Sequence, residues 1–253
     1  MKIIFNGQLT DADDPQVSAD ILNPPTESVF ETFAIKQGRV PGTIKQHCER
    51  LFASAAVLEF EVPPTLTQKF LEDSLQQLLS TLDLSKNYRC KMLVSAAYWW
   101  IRAEVLPPLS ATIYTHGVVV DEAMEERDFA AAKWSSPIYQ KYFSIQKKSG
   151  SFETLFFDKT DNLLEGNISN VIAVLDGVLV SPNGNVLPGI TVRSVLAQAA
   201  LLGFKTEFRA VSREELEQAS EIFITNAIKG LVPVLQWKQW SRSSSSVYDQ
   251  LSV

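Results

Sequence analysis

The chain is poor in the residues on which disulfide-stabilised proteins and metal centres depend. Its 253 residues include only two cysteines and two histidines. Cys48 and Cys90 do not make a disulfide framework, so we expect both to be reduced thiols. His47 and His116 do not stand in metal-ligand spacing with the cysteines. The sequence therefore predicts no metal site.

An excess of positive charge and a long apolar run are also missing. The 23 Lys and Arg residues are outnumbered by 29 Asp and Glu, which gives a formal net charge of −6. Without a basic stripe we expect no nucleic-acid partner, and without a spanning apolar run we expect no membrane partner. The first residues, MKIIFNGQLTDADD, reach polar and acidic residues too soon for a signal peptide. These features predict a cytoplasmic globular protein.

The spacing of apolar residues predicts a mixture of strands and helices. We predict strands over 29–35, 89–100, 171–175, 178–180 and 221–225. We predict helices over 44–58, 70–82, 190–202 and 213–219, the last with a capping box of Ser212 and Glu215. This pattern indicates an α+β or α/β fold with two lobes. The predicted organisation is an N-terminal α/β domain over 1–110, a connection over 111–122 and a C-terminal domain over 123–253.

The most informative segment runs from residue 164 to residue 193. An apolar strand, the turn Asp176-Gly177 and a returning strand predict a hairpin. A helix then begins after Gly189, at Ile190 and Thr191. The first N–H groups of a helix lack internal partners and carry partial positive charge, so they can bind phosphate. Most such helix starts bind only water, and the helix start alone predicts a phosphate site weakly.

The order of features in this segment resembles a known signature. The run Glu165-Gly166-Asn167-Ile168-Ser169-Asn170, the hairpin and then Pro-Gly-Ile-Thr-x-Arg are similar to the fold-type IV pyridoxal-phosphate enzymes, the class IV aminotransferase family. That family includes branched-chain and D-amino acid aminotransferases and 4-amino-4-deoxychorismate lyase. The resemblance implies pyridoxal 5'-phosphate as cofactor. It also implies a smaller N-terminal α/β domain and a C-terminal pseudo-barrel domain that binds the cofactor.

The resemblance assigns most of the cofactor site. It implies that Glu165 bonds the pyridine nitrogen, where an acid strengthens the ring as an electron sink. Arg50 stands in His-Cys-Glu-Arg-Leu, which resembles the family's His-x-x-Arg-Leu element, whose arginine binds the phosphate. Without the resemblance, both residues are interpreted as exposed charges. The other cofactor-binding residues that the resemblance implies are Ser169, Asn170, Leu187, Gly189, Ile190, Thr191, Thr225 and Asn226.

The lysine that forms the Schiff base must be chosen among four candidates, which are Lys133, Lys141, Lys147 and Lys148. Lys133 ends an apolar Phe-Ala-Ala-Ala stretch, where loss of water favours the neutral, nucleophilic amine. Relatives place this lysine a little over thirty residues before the glutamate, and Lys133 precedes Glu165 by 32 residues. We therefore predict that Lys133 carries the cofactor and moves the substrate proton. Tyr139 is the nearest candidate for a tyrosine that contacts the cofactor.

Three hypotheses describe the function. The segment from Thr225 to Val234 resembles the active-site strand and turn of 4-amino-4-deoxychorismate lyase more than those of aminotransferases. The first hypothesis is therefore a lyase that makes p-aminobenzoate and pyruvate for folate synthesis. The second is a branched-chain or D-amino acid aminotransferase, and the third is a non-catalytic relative. For the lyase, Thr32 is a candidate for protonating the leaving group, although it is also interpreted as an ordinary strand threonine.

The resemblance also implies how the protein assembles. Relatives are symmetric homodimers in which a loop from one subunit completes the site of the other, and the partner in each site is a small-molecule substrate. The aromatic cluster of Tyr98, Trp99 and Trp100 is interpreted as part of the core or of a subunit interface.

Overall fold

The computed structural model describes residues 1–17, 19–22, 28–135 and 151–252. The alternative lysines Lys141, Lys147 and Lys148 and the candidate Tyr139 lie outside these residues. The described residues form two compact units, one from 1–108 with 131–135 and the other from 109–130 with 151–252. The predicted connection at 111–122 contains a short helix and the first residues of a strand. The predicted domain boundaries stay a prediction.

The described residues contain the following elements. The strands are β1 (Lys2–Phe5), β2 (Gln8–Asp11), β3 (Ser28–Ile35), β4 (Tyr88–Val94), β5 (Trp99–Val105), β6 (Val118–Met124), β7 (Trp134–Ser135), β8 (Glu153–Phe157), β9 (Leu163–Gly166), β10 (Asn170–Leu175), β11 (Val178–Ser181), β12 (Lys205–Phe208), β13 (Glu221–Asn226), β14 (Gly230–Trp237) and β15 (Trp240–Ser241). The helices are α1 (Ala19–Leu22), α2 (Ile44–Val57), α3 (Gln68–Leu79), α4 (Thr112–Thr115), α5 (Ile190–Leu201), α6 (Arg213–Glu217) and α7 (Ser246–Leu251).

The first unit is built on a sheet in the order β2-β1-β5-β4-β3-β7. All of its strand pairs are antiparallel. Helix α2 packs against β3, and α3 packs against β1 and β5. Trp99 and Trp100 are 3% and 0% exposed, so both belong to the core of this unit. Of the two interpretations of this tryptophan pair, the structure confirms the core.

One strand prediction was wrong. The apolar run over 89–100 was predicted as a single strand, but β4 ends at Val94 and β5 begins at Trp99. The turn between them is closed at Ser95, whose backbone N–H bonds the Tyr98 carbonyl at 2.9 Å. The Ser95 hydroxyl also accepts a hydrogen bond from the Tyr98 N–H at 3.1 Å. This turn has neither glycine nor proline, and apolar content alone does not reveal it.

The second unit contains a larger sheet in the order β12-β11-β10-β13-β14-β6-β8-β9, with β15 beside β14. Every residue of β10 is buried, because its alternate side chains enter two different cores. Val171 and Ala173 join a core with β6, β8 and β14, whereas Ile172 and Val174 pack with α5 and α7. The predicted hairpin is confirmed as β10 and β11, and α6 has the predicted capping box.

Local capping residues determine where two of the helices begin or end. Gly203 follows α5 with φ of +91°, the left-handed conformation expected where a glycine ends a helix. In α3, the Thr67 side chain accepts the Phe70 N–H and so caps the first turn. No helix in the described part of the chain is long and apolar enough to cross a bilayer.

Candidate active site

A buried ion cluster connects β3 to α2 in the first unit. The Arg50 Nε and Nη2 atoms donate to the two Glu31 carboxylate oxygens at 2.7 and 2.8 Å. His47 Nδ1 lies 2.7 Å from Glu31 Oε2. Glu31, His47 and Arg50 are all buried. The predicted phosphate-binding arginine is therefore held in a fixed orientation by a bidentate carboxylate.

This cluster keeps Glu31 ionised inside the protein. Burial by itself raises the pKa of Glu31, but hydrogen bonds from Arg50 and His47 and the charges of Arg50 and Lys133 together lower it to about 2. A carboxylate whose pKa is lower in the folded state stabilises the fold above its unfolded pKa. That contribution is lost as the pH falls from about 4.5 towards 2.

We expect the free energy of unfolding to fall by about 3 kcal/mol between pH 5 and pH 2 because Glu31 becomes protonated. Urea unfolding at a series of pH values measures this slope. Glu31→Gln should flatten the slope in this range, whereas Glu61→Gln, which changes an exposed glutamate, should leave it unchanged. An unchanged slope in Glu31→Gln would contradict the prediction.

Lys133 lies beside the same strand and is anchored by its backbone. Its N–H donates to the Ser54 hydroxyl of α2 at 2.9 Å, and its carbonyl accepts the Phe30 N–H at 3.0 Å. The Lys133 Nζ atom lies 4.9 Å from the centre of the Phe30 ring, and the residue is half-buried. Thr32 is also half-buried, two residues along β3 from Phe30 and therefore on the same sheet face.

The second unit contains Glu165, which is buried and paired with a residue that the sequence did not indicate. Arg127 donates to Glu165 Oε1 through Nε at 2.8 Å and through Nη2. The Leu187 backbone N–H donates to Glu165 Oε2 at 3.2 Å. Arg127 Nη2 also donates to the Ala130 carbonyl at 3.3 Å. Arg127 thus places a positive charge beside the Glu165 carboxylate and stabilises its negative charge.

The helix start lies close to this carboxylate in the fold. The Asn170 side chain donates to the Leu187 carbonyl at 2.9 Å. Gly189 is the N-cap of α5 and has no side-chain cap, so the N–H groups of Ile190 and Thr191 at the first turn receive no cap from it. A helix start of this kind suits an anion. The N–H groups and the Thr191 hydroxyl stay predicted phosphate donors.

The start of α5 has no room for a side chain at Gly189. A Cβ at this position would lie 1.8 Å from Asn170 Oδ1. We expect Gly189→Ala to push Asn170 away from Leu187 and to weaken cofactor binding about tenfold or more, since one hydrogen bond to a charged group contributes about 1.5–3 kcal/mol. Fluorescence titration with pyridoxal phosphate measures the affinity. Gly42→Ala is the control, because a Cβ there meets nothing within 4 Å. Equal affinities of the two variants would contradict the prediction.

Ser169 and Asn226 belong to a buried network in the second unit. The Ser169 hydroxyl donates to Glu153 Oε1 at 2.7 Å and accepts from Asn226 Nδ2 at 3.0 Å. Lys229 Nζ also donates to Glu153 Oε1, at 3.2 Å. Burial raises the pKa of Glu153, against the charge of Lys229 and the hydrogen bonds from Ser169 and Lys229. The network orders two predicted cofactor-binding residues, and their contact with a cofactor stays a prediction.

Thr225, a predicted cofactor-binding residue, has a side-chain hydroxyl that is available to a ligand. Its Oγ1 atom is buried and has no hydrogen-bond partner among the described residues. Thr225 pairs with Asn170 across β13 and β10, which places it beside the residue that contacts Leu187. A buried hydroxyl without a partner costs free energy unless a ligand or water satisfies it. This atom, the Glu165 carboxylate and the uncapped start of α5 are donors and acceptors that fit a phosphorylated pyridine.

The predicted site residues fall into two groups, one in each unit. Arg50, Thr32 and Lys133 belong to the first unit. The second unit contains Glu165, Ser169, Asn170, Leu187, Gly189, Ile190, Thr191, Thr225 and Asn226. Glu31, Arg127 and Glu153 are not among the site residues predicted from the sequence. A glutamate inside an apolar strand was a usable signal for Glu31 and Glu153, because a charge there needs a partner.

Comparisons with known proteins identify the family and the fold. The family model described as amino-transferase class IV matches residues 28–237. The branched-chain-amino-acid aminotransferase of Escherichia coli K12 is 24% identical over 266 residues, which cover 92% of this chain and 83% of that protein. A crystal structure of the Escherichia coli branched-chain enzyme has a TM-score of 0.85 at 23% identity, covering 99% of this chain and 92% of that one.

Other matches are shorter. The chloroplastic branched-chain-amino-acid aminotransferase 5 of Arabidopsis thaliana is 38% identical over 95 residues, which cover 36% of this chain. The match covers 23% of that plant protein, and the chain spans less than half the length of the first three curated relatives that it matches.

The structural likeness confirms the predicted fold class, and the cofactor follows from the family. A structure of the T.th. branched-chain amino acid aminotransferase, with a TM-score of 0.83 at 21% identity over 99% of this chain and 91% of that one, is complexed with N-(5'-phosphopyridoxyl)-L-glutamate. Pyridoxal phosphate is the cofactor of class IV aminotransferases, and the donors of the second unit fit it. The chain belongs to the class IV aminotransferase family.

Proposed function

We propose that this protein is an aminotransferase that moves the amino group of a branched-chain amino acid to a 2-oxo acid. The observation that carries the proposal is the match to the Escherichia coli branched-chain enzyme over 92% of this chain and 83% of that protein. A match of that extent includes the segments of every predicted site residue. This proposal replaces the lyase as the main hypothesis, because the named relatives support the aminotransferase.

The residues have distinct roles in this proposal. When bound, pyridoxal phosphate supplies an aldehyde that takes up the amino group and a ring that withdraws electrons. Lys133 holds the cofactor and then moves the proton at the α-carbon of the substrate. Arg50 and the first N–H groups of α5 bind the phosphate, and Glu165 bonds the pyridine nitrogen.

The test is an assay of amino transfer. The protein is loaded with pyridoxal phosphate and incubated with L-leucine, L-isoleucine or L-valine and 2-oxoglutarate, and glutamate is measured. We expect glutamate to form only when both substrates are present. D-Alanine in place of the L-amino acids distinguishes the D-amino acid activity. If none of the three L-amino acids yields glutamate, the proposal is wrong.

A second candidate is the lyase, which one observation favours. The segment Thr225–Val234 resembles that of 4-amino-4-deoxychorismate lyase, and Asn226 organises its turn by accepting the N–H groups of Ile228 and Lys229 at 3.0 and 2.9 Å. The lyase would release equal amounts of p-aminobenzoate and pyruvate from 4-amino-4-deoxychorismate without an amino acceptor. In this candidate Thr32 protonates the leaving group.

We also propose that the enzyme works as a homodimer in the cytoplasm. The support is the family membership. Trp99 and Trp100 do not support it, because both are buried in the first unit and offer no surface for a partner. Light scattering of the loaded enzyme at micromolar concentration tests the proposal. A fully active monomer would contradict it.

A further inference from the structure

A buried carboxylate lies against the turn that links Glu165 to Asn170. Glu153 of β8 is 0% exposed, and its Oε1 atom accepts hydrogen bonds from the Ser169 hydroxyl at 2.7 Å and from Lys229 Nζ at 3.2 Å. Its Oε2 atom is also buried and has no hydrogen-bond partner among the described residues. A buried ion pair is often no more stabilising than apolar side chains of similar volume, so stability alone does not explain Glu153.

The Oε2 atom of Glu153 fits against Gly166, the residue that directly follows Glu165. A Cβ on Gly166 would lie 2.6 Å from Glu153 Oε2 and 3.3 Å from the Ser169 carbonyl oxygen. Gly166 does not have a positive φ, so the glycine is needed here for space and not for its backbone conformation. The Glu153 carboxylate cannot swing aside easily, because it is buried and is held by Ser169 and Lys229.

Backbone hydrogen bonds close the turn around this contact. The Gly166 N–H donates to the Ser169 carbonyl at 2.7 Å, and the Asn167 N–H donates to the Thr154 carbonyl at 3.0 Å. The Asn167 side-chain oxygen in turn accepts the Thr154 N–H at 3.2 Å. The backbone that directly follows Glu165 is therefore fixed to β8.

The position of this backbone matters for the predicted contact with the pyridine nitrogen. The Glu165 carboxylate is oriented by Arg127 and by the Leu187 N–H. A shift of the backbone at Gly166 would move that carboxylate away from its donors, because Glu165 and Gly166 are consecutive. Hydrogen bonds weaken steeply as their geometry departs from the optimum, and a misplacement of about 1 Å at a site can lower its rate about 10²-fold.

We propose that Glu153 is a positioning residue, which holds the Glu165 carboxylate in place for the pyridine nitrogen by filling the space beside Gly166. The inference rests on the proposed amino transfer, because that reaction uses the ring contact of Glu165. Glu153 itself touches neither the substrate nor the reacting atoms. Lys229 neutralises the charge of Glu153 and ties it to the turn after β13.

Two ligands that differ at the ring nitrogen test this role. The full-length protein, freed of cofactor, is titrated by calorimetry with pyridoxine 5'-phosphate and with benzyl phosphate, whose ring has no nitrogen. Glu153→Leu should weaken the binding of pyridoxine 5'-phosphate about tenfold or more and change that of benzyl phosphate less than about twofold. A merely structural role would weaken both ligands alike, and that result would overturn the proposal.

A conservative variant and a matched control complete the titration. Glu153→Gln keeps the volume beside Gly166 and a hydrogen-bond acceptor, so it should restore most of the affinity for pyridoxine 5'-phosphate. Glu221, the first residue of β13, is another buried glutamate of the second unit, and it accepts the Val247 and Tyr248 N–H groups at 2.8 and 3.1 Å. Glu221→Leu should lower the unfolding midpoint and leave both affinities unchanged.

A second pair of variants covers the case in which Glu153→Leu does not fold. Gly166→Ala adds the Cβ that meets Glu153 Oε2 and should weaken pyridoxine 5'-phosphate about tenfold. In a Glu153→Ala background the 2.6 Å contact no longer exists, so Gly166→Ala should weaken binding by less than about a further twofold. Additive effects of the two substitutions would overturn the proposal.

The amino-transfer assay separates this inference from the proposed function. Glu153→Leu should lower kcat about tenfold or more and leave KM for the amino acid nearly unchanged. If transfer occurs and Glu153→Leu has a normal kcat, the positioning role fails and the aminotransferase stands. If no transfer occurs but Glu153→Leu weakens pyridoxine 5'-phosphate and spares benzyl phosphate, the positioning role stands and the aminotransferase fails.

Discussion

Lys133→Met is expected to abolish the covalent attachment of pyridoxal phosphate and to reduce turnover by more than about 10³-fold. The side chain is predicted both to hold the cofactor and to move the substrate proton, so one substitution removes two functions. The fold should survive, because Lys133 is anchored by its backbone, through the Ser54 hydroxyl and the Phe30 N–H. Loss of activity with an unchanged unfolding midpoint would separate chemistry from stability.

The attachment site can be mapped independently of activity. Borohydride reduction of the loaded enzyme, followed by peptide mass mapping, should find the cofactor on Lys133. Lys36→Met serves as the control, since Lys36 is exposed in the same unit and should leave both attachment and turnover intact. Attachment at Lys141, Lys147 or Lys148 would show that the assignment is wrong.

Glu165→Gln is expected to lower turnover by about 10²-fold or more while cofactor binding is retained. The amide keeps the shape of the side chain but cannot supply the negative charge that supports a protonated ring nitrogen. The phosphate donors at the start of α5 are unchanged by the substitution. Steady-state kinetics and fluorescence titration with pyridoxal phosphate measure the two effects, and unchanged turnover would rule out the role.

Arg127 complicates this experiment and also provides its control. Glu165→Gln leaves the buried Arg127 guanidinium without its carboxylate, which costs about 3–5 kcal/mol of stability when such a pair is broken. The double variant Glu165→Gln with Arg127→Met removes both charges. We expect the double variant to regain stability in urea unfolding while turnover stays low. Recovery of turnover together with stability would mean that Glu165 acts only through the fold.

Several parts of the site could be predicted from neighbouring residues alone. The hairpin, the helix after Gly189 and the capping box at Ser212 depend on turns, caps and apolar spacing within a few residues. Each follows rules that act over one or two turns of chain. The turn at Ser95 does not follow these rules. A serine inside an apolar run closes it, instead of glycine or proline, and it was therefore not predicted.

Partners that are distant in the chain could not be predicted in this way. Arg127 is 38 residues from Glu165 and stands in an acidic run, a pattern that is typical of exposed surface. Glu31 meets Arg50 across 19 residues, and Glu153 meets Lys229 across 76. No local rule chooses which buried charge will neutralise which, since that choice depends on how strands and helices pack.

The sequence by itself determined the family and the cofactor, because the Glu-Gly-Asn-Ile-Ser-Asn and Pro-Gly-Ile-Thr segments are contiguous and specific. It did not decide between a lyase and an aminotransferase. Only the tertiary structure decided how the charges are arranged around those segments. It paired Arg127 with Glu165, held Arg50 on Glu31 and brought Lys229 to Glu153. The physical reason is that the energy of a buried charge depends on every group within a few ångströms, and packing brings those groups from distant parts of the chain.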